Sequence, residues 1–320
     1  MSPIRALVTG ATGFVGAHLA RYLVGLGCDV HVLCRPDTDM ARLADIRHAV
    51  VAHVADLRES ERVTAAVATV EPDRVFHLAA ATMHAGRSPG VGEQVMTNLG
   101  GTVALMEACR ELELDAFVNV GDAFEYGPGE GPIAETAPCR PTSLDGITKL
   151  GATLYGRSLA QSAGMPIVTV RPFSIVGGAD DPARLVPRLV ETARTGSPLA
   201  LSDRRIVRDF VSVGDAIELF VLAADRALDL RGRILNCGSG TPTTLGELVG
   251  AVERVTGSVV AAEWGGFPVA AHDRRHPIAD VAAARALGWR PSVPLDEMIE
   301  QLWTAGTPVQ SPAAGSRSPR

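Results

Sequence analysis

The sequence is poor in cysteine, in aromatic residues and in long apolar runs, and these shortages exclude several classes of protein. Its five cysteines are widely spaced and include no Cys-x-x-Cys pair, which is typical of buried thiols in a reducing compartment rather than of disulfides or a zinc site. No apolar run reaches the roughly 18 residues that span a bilayer. The first strand begins by residue 4, which leaves no room for a signal peptide. We therefore expect a cytoplasmic protein with no membrane partner and no metal.

The chain also lacks an excess of basic residues. It has 30 lysines and arginines against 36 acidic residues, a net charge of −6. Without a basic cluster, nucleic acid is not an expected partner, and a small-molecule substrate is the better expectation. The 320 residues suffice for a nucleotide-binding core with a smaller attached lobe, in a monomer or a homodimer.

Strands and helices alternate along most of the chain. Short apolar runs predict strands over 4–8, 29–34, 50–54, 74–78, 116–120, 166–171 and 233–237. Helical patterns cover 15–26, 60–70, 91–111, 144–163 and 213–228, with a weak helix near Ala41. This alternation predicts an α/β fold with a doubly wound parallel sheet of the Rossmann type.

The composition changes toward the C-terminus and suggests a division into domains. We predict a dinucleotide-binding domain over 1–177, to which 207–238 returns. The glycine- and proline-rich segments 178–206 and 239–306 would form a smaller substrate-binding lobe. Residues 307–320 have low complexity and are predicted to be disordered.

A glycine-rich loop joins the first strand to the first helix, and its glycines are Gly10, Gly13 and Gly16. The first permits a tight turn, the second lets the backbone approach a pyrophosphate, and the third allows close packing of helix on strand. Free N–H groups at the helix N-terminus would then bind the anion. A purely structural turn is the less favoured interpretation in this strand–turn–helix context.

With this loop the chain resembles the extended short-chain dehydrogenase/reductase family, whose fingerprint TGATGFVG it carries at 9–16. Further matching motifs follow in order and extend the resemblance over about residues 4–300: Asp56-Leu57, His77-Leu78-Ala79-Ala80, Asn98, Gly101-Thr102, Arg171-Pro172-Phe173, Arg208-Asp209-Phe210-Val211, Asp215 and Leu287-Gly288-Trp289. The resemblance implies an extended member of that family, with its C-terminal substrate-binding lobe.

The end of the second strand indicates NADP as the cofactor. Enzymes that prefer NAD place an acidic residue there to bind the ribose hydroxyls. Here the stretch carries Arg35 and no carboxylate, and a guanidinium would pair with the 2′-phosphate of NADP. A surface arginine with dual cofactor use is the alternative.

The resemblance adds a set of cofactor-binding residues to Arg35. Asp56 would bond the adenine amine, although it could equally cap a helix, given Glu59 three residues on. Ala79 and Ala80 would line the nicotinamide ribose. The full predicted set is Gly10, Thr12, Gly13, Phe14, Val15, Gly16, Arg35, Asp56, Leu57, Leu78, Ala79, Ala80, Lys149, Pro172 and Phe173.

The chain departs from the family that it resembles at the catalytic residues. The family uses a Ser or Thr to bond the carbonyl, a Tyr to donate the proton, and a Lys four residues after that Tyr. Lys149 matches the lysine, but Asp145 occupies the tyrosine position and Asp122 the Ser/Thr position. Both proton-handling residues have become aspartates, so the roles of these two predicted catalytic residues stay open.

Four interpretations of this departure remain. A protonated aspartate could replace the tyrosine, provided that burial raised its pKa. Alternatively, acid–base chemistry is lost and the protein is an NADP-binding sensor. Thirdly, an acidic phenol on the substrate, hydrogen-bonded to its own ketone, could supply the proton while Lys149 and the glycine loop position the cofactor. Lastly, Tyr126, His84 or Ser174 could act as the donor, although Tyr126 is expected to pack in its turn and His84 to be solvated.

The absence of the usual catalytic residues also suggests a class of substrate. Missing the usual catalytic residues, the chain resembles an atypical branch of ketoreductases from antibiotic pathways, which act on angucyclinones. This implies an NADPH-dependent reduction of a ketone of a polycyclic aromatic polyketide to a secondary alcohol. The alternatives are a nucleotide-sugar epimerase or reductase, for which Arg208 and the pair Arg274-Arg275 could clamp a diphosphate, and the silent sensor.

Overall fold

In the computed structural model, which describes residues 3–82, 88–129, 131–266 and 278–305, the core is a seven-stranded parallel sheet. The strands are β1 (Arg5–Thr9), β2 (Asp29–Cys34), β3 (Val50–Val54), β4 (Arg74–His77), β5 (Ala116–Val120), β6 (Pro132–Ile133), β7 (Ile167–Pro172), β8 (Ser174–Val176), β9 (Leu199–Leu201), β10 (Val207–Arg208), β11 (Phe210–Ser212), β12 (Ile234–Cys237), β13 (Thr243–Thr244), β14 (Ala262–Trp264) and β15 (Ile278–Ala279). The sheet order is β12-β7-β5-β4-β1-β2-β3, and the remaining strands form two-stranded pairs. The predicted Rossmann fold is confirmed.

Helices cover both faces of this sheet. They are α1 (Phe14–Gly25), α2 (Ser60–Val70), α3 (Val91–Gln94), α4 (Thr102–Ala108), α5 (Leu144–Ser162), α6 (Leu185–Thr195), α7 (Val213–Asp225), α8 (Leu245–Thr256), α9 (Ala282–Ala286) and α10 (Leu295–Thr304). Helices α1 and α7 pack on one face, and α2, α4 and α5 on the other. Strands buried on both faces are mostly apolar, which is why they appear in the sequence as nearly continuous apolar runs.

The helix predicted over 91–111 is not one regular α-helix. Between α3 and α4 the chain makes a π-helix, Val95–Gly101, and α4 ends at Ala108. Here Asn98 exchanges hydrogen bonds with the backbone of Ala81, and Gly101 lies so close to Leu57 that an added Cβ would come within 2.7 Å of the Leu57 Cβ. Tertiary contacts therefore override the α pattern at this point. The weak helix near Ala41 is a 3₁₀ helix, Ala41–Ala49.

A second apolar cluster lies beyond the sheet, where α6, α8 and α10 pack around Leu189, Leu248 and Ile299. Two buried carboxylates tie the C-terminal segments to the core. Asp209 accepts backbone N–H groups from Ser239, Gly240 and Ala279, while Asp215 accepts those of Ser292 and Val293. The predicted limits of the substrate lobe stay predictions, and the tail over 307–320 lies outside the described residues.

All five cysteines are free thiols. In the described part of the chain, every helix is too short or too polar to serve as a transmembrane span.

Candidate active site

The glycine loop forms a narrow backbone cradle at the carboxyl end of β1. Gly10 has a φ of +72°, and a Cβ there would lie 2.7 Å from the Ala79 nitrogen. A Cβ on Gly16 would overlap the carbonyl oxygen of Gly10. Helix α1 begins after Gly13 with no side-chain cap and no acidic residue in its first turn, so its N–H groups remain available to an anion. These residues fit the pyrophosphate of a dinucleotide.

Arginines surround the adjacent ends of β2 and β3. The side chain of Arg35 is exposed directly after β2. Arg42, which the sequence analysis did not single out, lies on the 3₁₀ helix with its Nη1 3.5 Å from the carbonyl oxygen of Thr12. Both guanidiniums can therefore contribute positive potential beside the glycine loop.

Asp56 follows β3 and forms an ion pair with Arg58, 2.7 Å between Oδ2 and Nη2. This contact lowers the pKa of the Asp56 carboxyl. Asp56 also accepts the Arg58 N–H, but helix α2 starts later, with Glu59 at its N-cap position. The alternative role of Asp56 as the cap of that helix is therefore wrong, and its role toward adenine stays a prediction.

The segment after β4 forms the next part of the same edge. Leu78, Ala79 and Ala80 are partly exposed there. The hydrogen bonds of Asn98 to Ala81 hold the end of this segment, and Asn98 also reaches Thr148 on α5 at 3.3 Å. Helix α5, which carries Lys149, is thus fixed relative to the predicted nicotinamide-ribose residues.

Lys149 lies in the interior beside the two aspartates. Its ammonium group donates to the carbonyl oxygen of Val120 at 2.8 Å, and its side chain is buried. Asp145 stands one turn earlier on α5, since residues four apart share a helix face. Asp122 follows β5 and accepts the Phe124 N–H at 2.8 Å, which caps the short 3₁₀ turn Ala123–Glu125. Within the described residues neither aspartate forms an ion pair with Lys149.

Burial dominates the electrostatics of this cluster. It raises the pKa of Asp122 to about 6, although the charge of Lys149 opposes the shift. It also raises the pKa of Asp145 and lowers that of Lys149. One oxygen of Asp145 is buried without a hydrogen-bond partner in the structure, a situation that disfavours the charged form of the carboxyl. The arrangement therefore raises the pH at which the Asp122 carboxyl loses its proton to about 6.

A cavity of about 250 Å³ opens beside Asp122. Its wall combines apolar side chains with two acids and two arginines: Asp122, Ala123, Phe124, Pro172, Phe173, Ser174, Ile175, Val176, Asp180, Arg184, Leu185, Val186, Arg208 and Phe210. Asp180 is buried and pairs with Arg184 at 3.2 Å. The cavity can thus accept a ligand with both apolar and anionic parts.

Of the other donors considered from the sequence, one lines the cavity, one is buried away from it and one lies outside the described residues. Tyr126 is buried, and its hydroxyl donates to the Asn236 Oδ1 at 2.7 Å. Ser174 lines the cavity. His84 and the pair Arg274-Arg275 fall in segments that the structure does not describe.

Sequence reasoning missed a buried ion pair, in which Glu125 and Arg171 approach to 2.7 Å. Their chain positions gave an indication, since Arg171 interrupts an apolar strand and Glu125 precedes the Tyr-Gly turn. Arg42, Asp180 and Arg184 carried no comparable pattern.

Comparisons with known proteins agree with this architecture. The model of the NAD dependent epimerase/dehydratase family matches residues 6–238. A UDP-glucose 4-epimerase of Streptomyces lividans is 30% identical over 93% of this chain and 94% of its own length. A dTDP-glucose 4,6-dehydratase of Streptomyces griseus is 31% identical, covering 90% of each chain. The crystal structure of Thermus thermophilus UDP-glucose 4-epimerase in complex with NAD superposes with a TM-score of 0.83 at 28% identity, covering 94% of this chain and 98% of the other.

Proposed function

Since the chain belongs to the NAD dependent epimerase/dehydratase family, we propose that it is an NADPH-dependent reductase of a ketone carried by a small molecule. The observation that supports this most directly is the placement of Asp122. It lies in the cavity wall, beside a buried lysine, with a pKa raised to about 6. A carboxyl group with such a pKa can donate a proton near neutral pH.

The proposed cofactor contacts follow the carboxyl edge of the sheet. The cradle over Gly10–Gly16 would hold the pyrophosphate, and Leu78, Ala79, Ala80 and Lys149 the nicotinamide ribose. Arg35, supported by Arg42, would pair with a 2′-phosphate, which favours NADP over NAD. Bound NADPH would supply the hydride.

In the proposed reaction the carbonyl carbon receives the hydride with its electron pair, and the carbonyl oxygen takes the proton of Asp122. The products are a secondary alcohol, NADP⁺ and the Asp122 carboxylate, which regains a proton from water through the cavity. Lys149 favours this exchange because its positive charge stabilises the carboxylate that forms. A reversible epimerisation must also remove a proton from a hydroxyl group. It is the poorer fit, because the Asp145 side chain at the usual tyrosine position is short.

We propose a nucleotide-linked ketosugar as the ketone. The relatives in the comparisons act, by their names, on UDP- and dTDP-glucose. Arg184 and Arg208 lie in the cavity wall together with Asp122, so a diphosphate and a carbonyl could both be bound there.

A ketone of an aromatic polyketide, such as an angucyclinone in antibiotic biosynthesis, is the second candidate. It is favoured by the absence of the family's tyrosine and by the apolar side chains of the cavity, among them Phe124, Phe173 and Phe210. A phenol hydrogen-bonded to the ketone would then supply the proton in place of Asp122.

Binding and turnover separate these candidates. Calorimetry would measure NADPH, UDP and dTDP binding, and the loss of NADPH absorbance would measure reduction of a dTDP-linked 4-ketosugar, of 8-hydroxy-1-tetralone and of 1-tetralone, which lacks the phenol. The ketosugar proposal expects UDP or dTDP binding and turnover of the sugar. Turnover confined to the hydroxytetralone would establish the second candidate. NADPH binding without any turnover would refute both and leave a cofactor-binding sensor.

A further inference from the structure

Glu125 and Arg171 form an ion pair in the interior, and each is the chain neighbour of a residue of the cavity wall. Their side chains are 0% and 1% exposed. The Glu125 Oε2 accepts both Arg171 Nε at 2.9 Å and Nη2 at 2.7 Å. The other oxygen, Oε1, accepts the backbone N–H of Asp122 at 2.9 Å. The two oxygens of one carboxylate thus join Arg171 to Asp122.

The surroundings of this pair leave little freedom for Glu125. Gly121 provides the necessary space, because a Cβ at that position would overlap the Glu125 Oε1. The Arg171 guanidinium lies 4.4 Å from the centroid of the Tyr126 ring, and Arg171 continues into Pro172 and Phe173 of the cavity wall. The pair therefore links the turn after β5 to the end of β7, the two segments on either side of the proposed carbonyl position.

We propose that Glu125 is a positioning residue for the reduction: held by Arg171, it fixes the backbone of Asp122 at the cavity wall and places its carboxylate behind that side chain. This inference rests on the proposed function. It extends that function because the donor would depend on a residue that touches neither substrate nor cofactor.

The charges around Asp122 are consistent with this role. Lys149 and Asp145 face it from α5, Glu125 from its own turn, and Arg171 lies behind Glu125 on β7. The cavity adds Asp180, Arg184 and Arg208. Arg171 pairs directly with Glu125, whereas Asp122 has no such cationic partner among the described residues. Glu125 and Asp145 both add to the effect of burial in raising the pKa of Asp122, so the proton is retained on the group that faces the cavity.

The test compares the titration of Asp122 in the cofactor-free protein with the pH dependence of turnover. Carbon-13 NMR of labelled aspartate carboxyls, assigned with Asp122→Asn, would give the titration midpoint without any cofactor or substrate. In the double variant Glu125→Gln/Arg171→Met, which removes both charges, we expect the midpoint to fall by about one pH unit, a tenfold change in the ionisation constant. The pH profile of kcat should move with it, while the affinity for NADPH stays within about twofold, since the pair makes no cofactor contact.

Further variants keep the test decisive if the double variant fails to fold. Gly121→Ala displaces the Glu125 carboxylate without changing any charge and should also lower the midpoint. Arg171→Lys keeps the positive charge beside Glu125, so it should leave the midpoint in place. A wild-type midpoint below about pH 4, or a kcat that falls equally at every pH in the variants, would overturn the proposal. If the wild-type protein turns over no ketone, the proposed function fails, but the NMR titration still decides whether Glu125 controls Asp122.

Discussion

The glycine loop and the acidic cluster lie at the same edge of the sheet, yet they are built in opposite ways. The loop depends on missing side chains, because a Cβ at Gly10 or Gly16 would collide with neighbouring backbone. The cluster depends on ionisable side chains: Asp122 and Asp145 are partly buried, and Lys149 and Glu125 are buried. The packing of backbone against the two glycines leaves no room for a side chain, whereas the side chains of the acidic cluster are not restricted in this way. This difference explains how the chain keeps its family's loop while lacking the family's tyrosine.

The largest effect is expected from Gly16→Ala. The added methyl group would overlap the Gly10 carbonyl and displace the loop, and a misplacement of about 1 Å can cost 10²-fold in such sites. Calorimetry should therefore show NADPH affinity reduced about 100-fold or more. Gly25→Ala, where nothing lies within 4 Å of the added Cβ, is the matched control. Equal NADPH affinities in the two variants would contradict the proposal that the glycine loop binds the cofactor.

The next largest effect is expected from Asp122→Asn, which should impair turnover without impairing cofactor binding. Asp122→Asn keeps an oxygen to accept the Phe124 N–H but cannot donate a proton, so kcat should fall about 10²-fold or more while NADPH binding is retained. Asp203→Asn, on an exposed aspartate outside the cavity, should leave kcat unchanged. A small change in the Asp122 variant would instead favour a substrate-derived proton.

A smaller effect is expected from Arg35→Ala. Loss of a charge-assisted bond to the 2′-phosphate should weaken NADPH binding about 10- to 100-fold and leave NADH binding nearly unchanged. Arg110→Ala, on an exposed arginine after α4, serves as the control. If the affinities for NADPH and NADH fall equally, Arg35 does not select between the two cofactors.

The smallest effect concerns stability. The pKa of Asp122 is about 6 in the folded protein and near 4 in an unfolded chain. The folded state binds this proton more tightly, so the stabilisation is complete below about pH 4 and is lost as the pH rises through 6. Allowing for partial exposure, the loss is about 1–2 kcal/mol. In denaturant unfolding, the free energy of unfolding of Asp122→Asn should not show this decline with pH. Parallel pH profiles for the variant and the wild type would show that the pKa of Asp122 is not raised.

Much of the fold could be predicted from the sequence because strands buried on both faces are continuous apolar runs. The π-helix at Val95–Gly101 could not, since it depends on the contact of Asn98 with Ala81, which no local pattern encodes. The positions of Asp122, Asp145 and Lys149 followed from motif spacing, but their protonation did not. It depends on burial and on Glu125, whose partner Arg171 is 46 residues away and is brought close only because β5 and β7 are neighbours.

The burial of Glu125 and Arg171 has a consequence for ionic strength. Dissolved salt screens exposed charges beyond about 8–10 Å at physiological concentrations but hardly reaches a dry ion pair. Adding salt should therefore weaken the discrimination between NADPH and NADH through the exposed Arg35, while the titration of Asp122 stays constant. Cofactor selectivity would then depend on the ionic strength of the solvent, whereas the pKa of Asp122 would not.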